Sequence, residues 1–428
     1  MFFSAAKQKM KIIFPITYAV ILSTLITPID VAHAATIYSF TTASATGPTG
    51  PTQSQMTTAY AGTTLAGAVT ESSTPGIQLW TVPASGNYTI VAAGAKGGNG
   101  NGTTGGSGAL IQGDFNLTQG TVIAILVGQA GTNGPSNVGG GGGGTFVMKQ
   151  TVVDSTSAYI IAGGGGGAPS GSGNANAVSS ATANDPAQNG SINSTTVLSN
   201  RGSNGQGGGN GGSFYGAGGG GLLGDGAWEV EASCRAGATG GAGGTAYIRG
   251  GQAVIGRTYA GGFGGGGSGE WCYGGGAGGG GGYSGGGGGN GTAGAGGGGS
   301  SLNNGANQIN TAASNSGAGY VTITFNYGYV GGVVSLSLLS GGKVATYNTT
   351  TTLVATINQA GRVTFFQFGK VIPKCKNLSG TTTVNCSWKP PLHGSISLTA
   401  TFVPTQQGVA SGLSAPFIVS TSKRTNTR

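Results

Sequence analysis

From residue 36 to residue 162, apolar and polar positions alternate in short runs that turn residues interrupt. Gly76-Ile77-Gln78-Leu79-Trp80-Thr81-Val82 alternates, Pro83-Ala84-Ser85-Gly86 supplies turn chemistry, and Tyr88-Thr89-Ile90-Val91 resumes an extended run. That order is the signature of a β-hairpin. Thr121 to Val127 is continuous and β-branched, the pattern of a strand buried on both faces. Thr145-Phe146-Val147-Met148 and Ala158-Tyr159-Ile160-Ile161 continue the series. Beyond the N-terminal segment no window carries a helical period, so the regular structure is predicted to be all-β.

Short glycine runs interrupt and follow these strands, among them 139–144, 163–167, 218–221, 278–282 and 296–299. One reading is a flexible spacer. The runs, however, follow buried-looking strands directly, and the same region carries Trp228, Phe263, Trp271, Tyr283 and two cysteines. The structured alternative is a lattice of extended polyglycine helices with three residues per turn. Such helices have no internal hydrogen bonds, so their peptide groups must bond to neighbouring helices. Only glycine lets backbones approach that closely.

After a closing strand at Tyr320 to Phe325 the pattern changes. Val333 to Leu339, Thr352 to Ile357, Arg362 to Phe368, Thr383 to Trp388, Ser395 to Phe402 and Phe417 to Ser420 are short threonine-, serine- and valine-rich runs with few glycines. Short strands at this spacing predict an Ig-like sandwich.

Composition narrows the class. The 428 residues include 95 glycines, and charged residues make up 6% against roughly 25% in ordinary soluble domains. Hydrophobic content is still 37%, which argues against a disordered chain. Lys7, Lys9 and Lys11, an apolar stretch from Ile12 to Ile26, and Val31-Ala32-His33-Ala34 form a signal peptide with an A-x-A cleavage site. An uncleaved anchor is the alternative. The expected division is residues 1–34 as signal peptide, 35–327 as glycine-rich domain and 328–428 as Ig-like domain. No membrane span is expected in the mature chain. Its net charge of +7 is read as ordinary surface solvation, with a small cluster at Lys423, Arg424 and Arg428. No concentrated basic stripe suggests nucleic acid. Cys234, Cys272, Cys375 and Cys386 are an even set in an exported chain, which favours disulfides. Three pairings are possible, and the domain boundary favours the sequential one.

The segment from about Tyr38 to Phe325 resembles the glycine-rich extracellular domain of anaplastic lymphoma kinase and leukocyte tyrosine kinase. The residues that carry this are Gly47-Pro48-Thr49-Gly50-Pro51-Thr52-Gln53, Gly76 to Pro83, Ile125-Leu126-Val127-Gly128-Gln129, Gly139 to Val147, Ile160 to Gly166 and Gly261 to Gly267. The resemblance implies a β-sandwich merged with a polyglycine-helix lattice, serving as a ligand-recognition scaffold. It also implies that Cys234 and Cys272 are the counterpart of that family's paired cysteines, although Cys234 precedes Gly237 to Gly241 rather than following it. The kinase does not accompany the resemblance, because no H-R-D loop, D-F-G site or lysine strand occurs. The C-terminal region resembles bacterial Ig-like domains through Gly361 to Phe365, Gly369 to Cys375, Cys386 to Pro390 and Gly394 to Ala400. Such domains act as spacers, and Trp388 is expected in the core.

Candidate chemistry is sparse. His393 is the single histidine of the mature chain and is read as a turn residue, so no nucleophile has a base. G-x-G-x-x-G matches are unavoidable at this glycine content, and none is followed by G-K-[ST]. No metal and no cofactor are expected. One patch stands out: Asp225, Trp228, Glu229, Glu231, Glu270, Trp271 and Tyr273 gather near Cys234 and Cys272 in sequence. Carboxylates beside large aromatics suit sugar stacking or a basic protein partner. The expectation is a non-catalytic, secreted or surface-associated recognition or adhesion protein whose partner is an unknown extracellular protein or glycan. A structural envelope or matrix component is the alternative.

Overall fold

The computed structural model describes residues 35–134, 138–171, 180–192, 196–212, 215–228, 242–253, 259–270, 275–291, 293–326, 334–405 and 411–422. The expected signal peptide, residues 1–34, and the Lys423–Arg428 cluster lie outside them. In chain order the first part holds β1 (Thr36–Phe40), helix α1 (Gln53–Ala59), β2 (Val69–Glu71), β3 (Gln78–Thr81), β4 (Gly86–Ala93), β5 (Gly108–Leu117) and β6 (Val122–Leu126). It continues with β7 (Thr145–Lys149), β8 (Ala158–Ala162), β9 (Leu302–Asn303), β10 (Ala306–Asn315) and β11 (Tyr320–Phe325).

These strands form two antiparallel sheets, ordered β1-β11-β4-β5-β10 and β2-β3-β6-β7-β8-β9. Inward residues of both sheets share one core that includes Phe40, Trp80, Tyr88, Ile90, Ile123, Ile160 and Ile323. Aromatic rings meet edge-on there, with the centroids of Trp80 and Tyr88 6.3 Å apart. The six-stranded sheet is also covered on its other face, where Leu126, Phe146 and Ile161 pack with Leu222, Tyr247 and Phe263 from the glycine-rich segments. Burial on both faces is why Val122 to Leu126 reads as an unbroken apolar run.

The hairpin expected from Gly76 to Val91 does not form. β3 and β4 belong to different sheets, and the Pro83–Ser85 turn carries the chain across the sandwich. Alternation showed correctly which residues point inward, but it carries no information on which strand pairs with which. Helix α1 was not foreseen either. Its mark is a capping box, in which Thr52 Oγ1 accepts from the Gln55 amide while Gln55 Oε1 accepts from the Thr52 amide, with Met56 buried below.

The glycine runs continue the strands. Residues 94–98 prolong β4, 127–133 prolong β6, 138–144 lead into β7, 163–168 leave β8, and 296–301 lead into β9. Run 139–144 shows how they are held. Gly139 and Gly142 donate their N–H groups to the carbonyls of Ala168 and Gly165, Gly140 and Gly143 to Thr132 and Gln129, and Gly141 and Gly144 to Gly267 and Gly264. Its carbonyls accept from Gly278 and Gly281, from Gly98 and Ala95, and from Gly262. Partners therefore repeat every third residue, as a threefold extended helix demands. All of these bonds fall between 2.7 and 3.1 Å. The packing leaves no room for side chains: a Cβ on Gly94, Gly97 or Gly100 would stand 1.9–2.0 Å from the carbonyl oxygens of Gly163, Gly166 or Pro169.

The second part holds β12 (Val334–Leu338), β13 (Val344–Thr346), β14 (Thr351–Ile357), β15 (Gly361–Gln367) and β16 (Lys370–Val371). β17 (Leu378–Gly380), β18 (Thr383–Trp388), β19 (Gly394–Pro404), β20 (Gly412–Leu413) and β21 (Phe417–Ser422) follow. One sheet runs β12-β14-β18 and the other β13-β21-β19-β15-β16, with β17 and β20 attached to β15 and β19. They close over a core that includes Leu353, Phe365, Leu398, Phe402 and Trp388. Trp388 is buried, as expected, and its Nε1 donates to Gln367 Oε1 across the sandwich at 2.9 Å. Cys375 and Cys386 form a disulfide.

Candidate functional site

Of the acidic-aromatic patch, the structure describes Asp225, Trp228 and Glu270; Glu229, Glu231, Cys234, Trp271, Cys272 and Tyr273 lie outside the described residues, and so does the expected Cys234–Cys272 bridge. Two lattice segments carry the described members. Gly218 N–H donates to Ala227 O, and Ala217 N–H donates to Ser268 O, both at 3.1 Å. Trp228 and Glu270 thus follow segments bonded to adjacent residues of one glycine run. Trp228 is 52% exposed, a large ring standing in a region where side chains are scarce. Its carbonyl accepts from Asn210 Nδ2 at 2.6 Å, which fixes the backbone beneath the ring. Glu270 is half-buried and exchanges both backbone hydrogen bonds with Gly276, at 2.9 and 3.0 Å.

Asp225 serves the lattice rather than an outside ligand. Its carboxylate takes a two-point contact from Arg249, with Nε–Oδ1 at 2.9 Å and Nη2–Oδ2 at 2.8 Å, and also accepts the Ala246 N–H at 2.7 Å. That anchors the 3-10 turn Tyr247–Arg249. Burial pushes the Tyr247 phenol well above its ordinary pKa, so the ring stays neutral against Phe146, 4.9 Å away centroid to centroid.

A few polar side chains replace peptide groups inside the lattice. Asn200 accepts from Gly190 N–H at 2.9 Å and donates to Asn210 O and Gly288 O at 2.8 Å each. Asp185 accepts from Ser300 Oγ at 2.8 Å and from the Asn204 amide at 2.9 Å. Gln129 donates to Thr49 O at 2.8 Å, while its Oε1 is buried without a partner. Among the described residues no group of three His, Cys, Asp or Glu could hold a metal ion, and no helix is long and apolar enough to cross a membrane.

Sequence reasoning missed one concavity altogether. In the C-terminal sandwich a groove of about 540 Å³ opens between β16 and β18, lined among others by Phe368, Lys370, Val371, Trp388, Lys389 and Pro391. The signal that could have found it is the charge distribution taken by domain rather than along the whole chain. His393 lies in a bend, its ring 3.9 Å from that of Tyr347.

No protein-family model matches the chain. Over 95 residues it is 41% identical to the leukocyte tyrosine kinase receptor of Mus musculus, a match covering 22% of this chain. That stretch is 11% of the receptor, so the chain spans only a small part of the relative it matches. The similarity shown is to a fragment of the receptor. Among solved structures, the CARDB domain of a Pyrococcus furiosus protein is 15% identical and covers 22% of this chain and 96% of its own. The TM-score of that superposition is 0.17.

Proposed function

We propose that the protein is a non-catalytic, secreted or surface-associated recognition or adhesion protein, in which the glycine lattice is a rigid platform and the Trp228–Glu270 margin contacts an extracellular protein or glycan. The observation that carries this reading is the state of the backbone. Peptide groups in the lattice bond to one another, so recognition falls to the few large side chains at its edge, and Trp228 is one of them. Similarity to a receptor and the Cys375–Cys386 disulfide fit an extracellular setting. The receptor's kinase is not carried over.

The test uses the mature chain on a glycan array and against candidate surface proteins. Replacing Trp228 and Glu270 by alanine together is expected to weaken binding roughly tenfold, the size of one aromatic anchor. Binding that is unchanged in the double variant would remove this margin from consideration. A self-satisfied lattice also suits a structural envelope component, which would resist protease without showing saturable binding to any ligand.

A further inference from the structure

The net positive charge of the chain from residue 35 onward comes from one part of it. Residues 328–428 contain nine lysines and arginines and no aspartate or glutamate, whereas residues 35–327 contain six basic and eight acidic residues. What looked like a thin excess along the whole chain is a basic C-terminal sandwich attached to a slightly acidic glycine-rich region. Lys370, Lys374, Lys376 and Lys389 are all exposed, and their own domain offers no carboxylate side chain to neutralise them.

Two of these lysines line the groove between the outer strands β16 and β18. The groove is braced. The Cys375–Cys386 disulfide and the Trp388–Gln367 hydrogen bond tie its two sides together, so it exists before any ligand arrives. Phe368 stands at its edge, 52% exposed, at the head of the turn between β15 and β16. Its φ of +48° lies in the left-handed region, where a bulky residue is disfavoured and asparagine or glycine is usual. A strained, exposed aromatic at a turn that asparagine would make more easily points to a use for the ring.

We propose that this groove binds an acidic polysaccharide, with a sugar ring lying against Phe368 and its carboxylates received by Lys370 and Lys389. The groove's chemistry favours this occupant over other polyanions. It contains no arginine for two-point phosphate contacts, and with Trp388 buried its one exposed ring cannot stack a series of bases. A flat lipid surface would leave the groove unfilled.

The test measures binding of the full mature chain to a polygalacturonate oligomer by calorimetry, beside dextran, single-stranded DNA and phosphatidylglycerol vesicles. Polygalacturonate is expected to bind and dextran is not. Lys370→Gln with Lys389→Gln should weaken it roughly tenfold, through loss of two charge-assisted contacts. Phe368→Asn should weaken it about fivefold while the melting temperature stays level or rises, because asparagine fits the turn and lacks the ring. Lys343→Gln, at an exposed lysine of the same sandwich outside the groove lining, should leave it nearly unchanged, which separates this groove from the general charge of the sandwich. Absence of polygalacturonate binding would overturn the proposal. So would equal binding of DNA or vesicles, or a Phe368→Asn variant that binds as well as wild type.

Discussion

The glycine lattice and the C-terminal sandwich are both built from extended chain, yet they are held together by different parts of the residue. In the sandwich, strands such as Thr383–Trp388 alternate strictly, and the buried half of each meets its counterpart in a side-chain core. In the lattice the peptide groups do that work, and run 139–144 is bonded on all sides to other runs. A residue without a side chain is costly to order. The lattice therefore depends on the strands that feed it and on the six-stranded sheet, whose second face it covers. The two regions should fail in opposite ways: one when a side chain is added, the other when one is removed.

The largest effect is expected from a branched side chain placed inside the lattice. Gly141→Val would place its Cβ 1.9 Å from Gly279 O, and the expected cost exceeds about 4 kcal/mol, seen as lost amide protection across 139–144 and its partner runs. Retained protection would mean that the runs do not pack as described. Next in size is the opposite lesion, Phe365→Ala, expected to destabilise the sandwich by about 3–5 kcal/mol in chemical denaturation while the lattice amides stay protected. Reduction of Cys375–Cys386, which closes a loop with a sequence separation of 11, should cost the sandwich roughly 3 kcal/mol and leave the lattice untouched.

The smallest effect is a local titration in the β7–β8 loop. Asp154 accepts from Thr156 Oγ1 and its amide and from the Ser157 amide, and these bonds hold its carboxyl below the usual aspartate range. A lowered folded pKa gives stability that is present above the unfolded value and disappears as pH falls through the folded one. The Thr156 and Ser157 amide resonances should therefore move with a midpoint below pH ~3.9. A midpoint at or above that value would show that the loop is not closed by this carboxylate.

Much of the architecture was legible because burial follows local pattern. The inward residues of β4, β6 and β8 and most of the C-terminal strands could be read from alternation and β-branching. Pairing was not, because Trp80 and Tyr88 would point inward whether β3 and β4 shared a sheet or faced each other across a core. β10 escaped for another reason: it is polar and almost wholly exposed, so nothing in its composition marks it as the sheet edge that it is. Helix α1 is too short for a hydrophobic period, and the one local mark it carries, the Thr52–Gln55 cap, was not recognised in the sequence. At the candidate margin, Trp228 was found by its rarity among glycines. The role of Asp225 was not, since its partner Arg249 lies 24 residues away along the chain.

The lattice also has a temporal consequence. Its bonds join runs that are far apart in the chain, such as Gly141 with Gly267 and Gly164 with Gly299. No glycine helix has bonds of its own to hold it while it waits for neighbours. Assembly of such distant contacts is slow, because loop closure must precede any gain. The strands should therefore collapse first, and the glycine runs should register against one another last. During that interval the chain would present open backbone to proteases and to other chains, and pulse-labelled amides of 139–144 should acquire protection after those of β4 and β6.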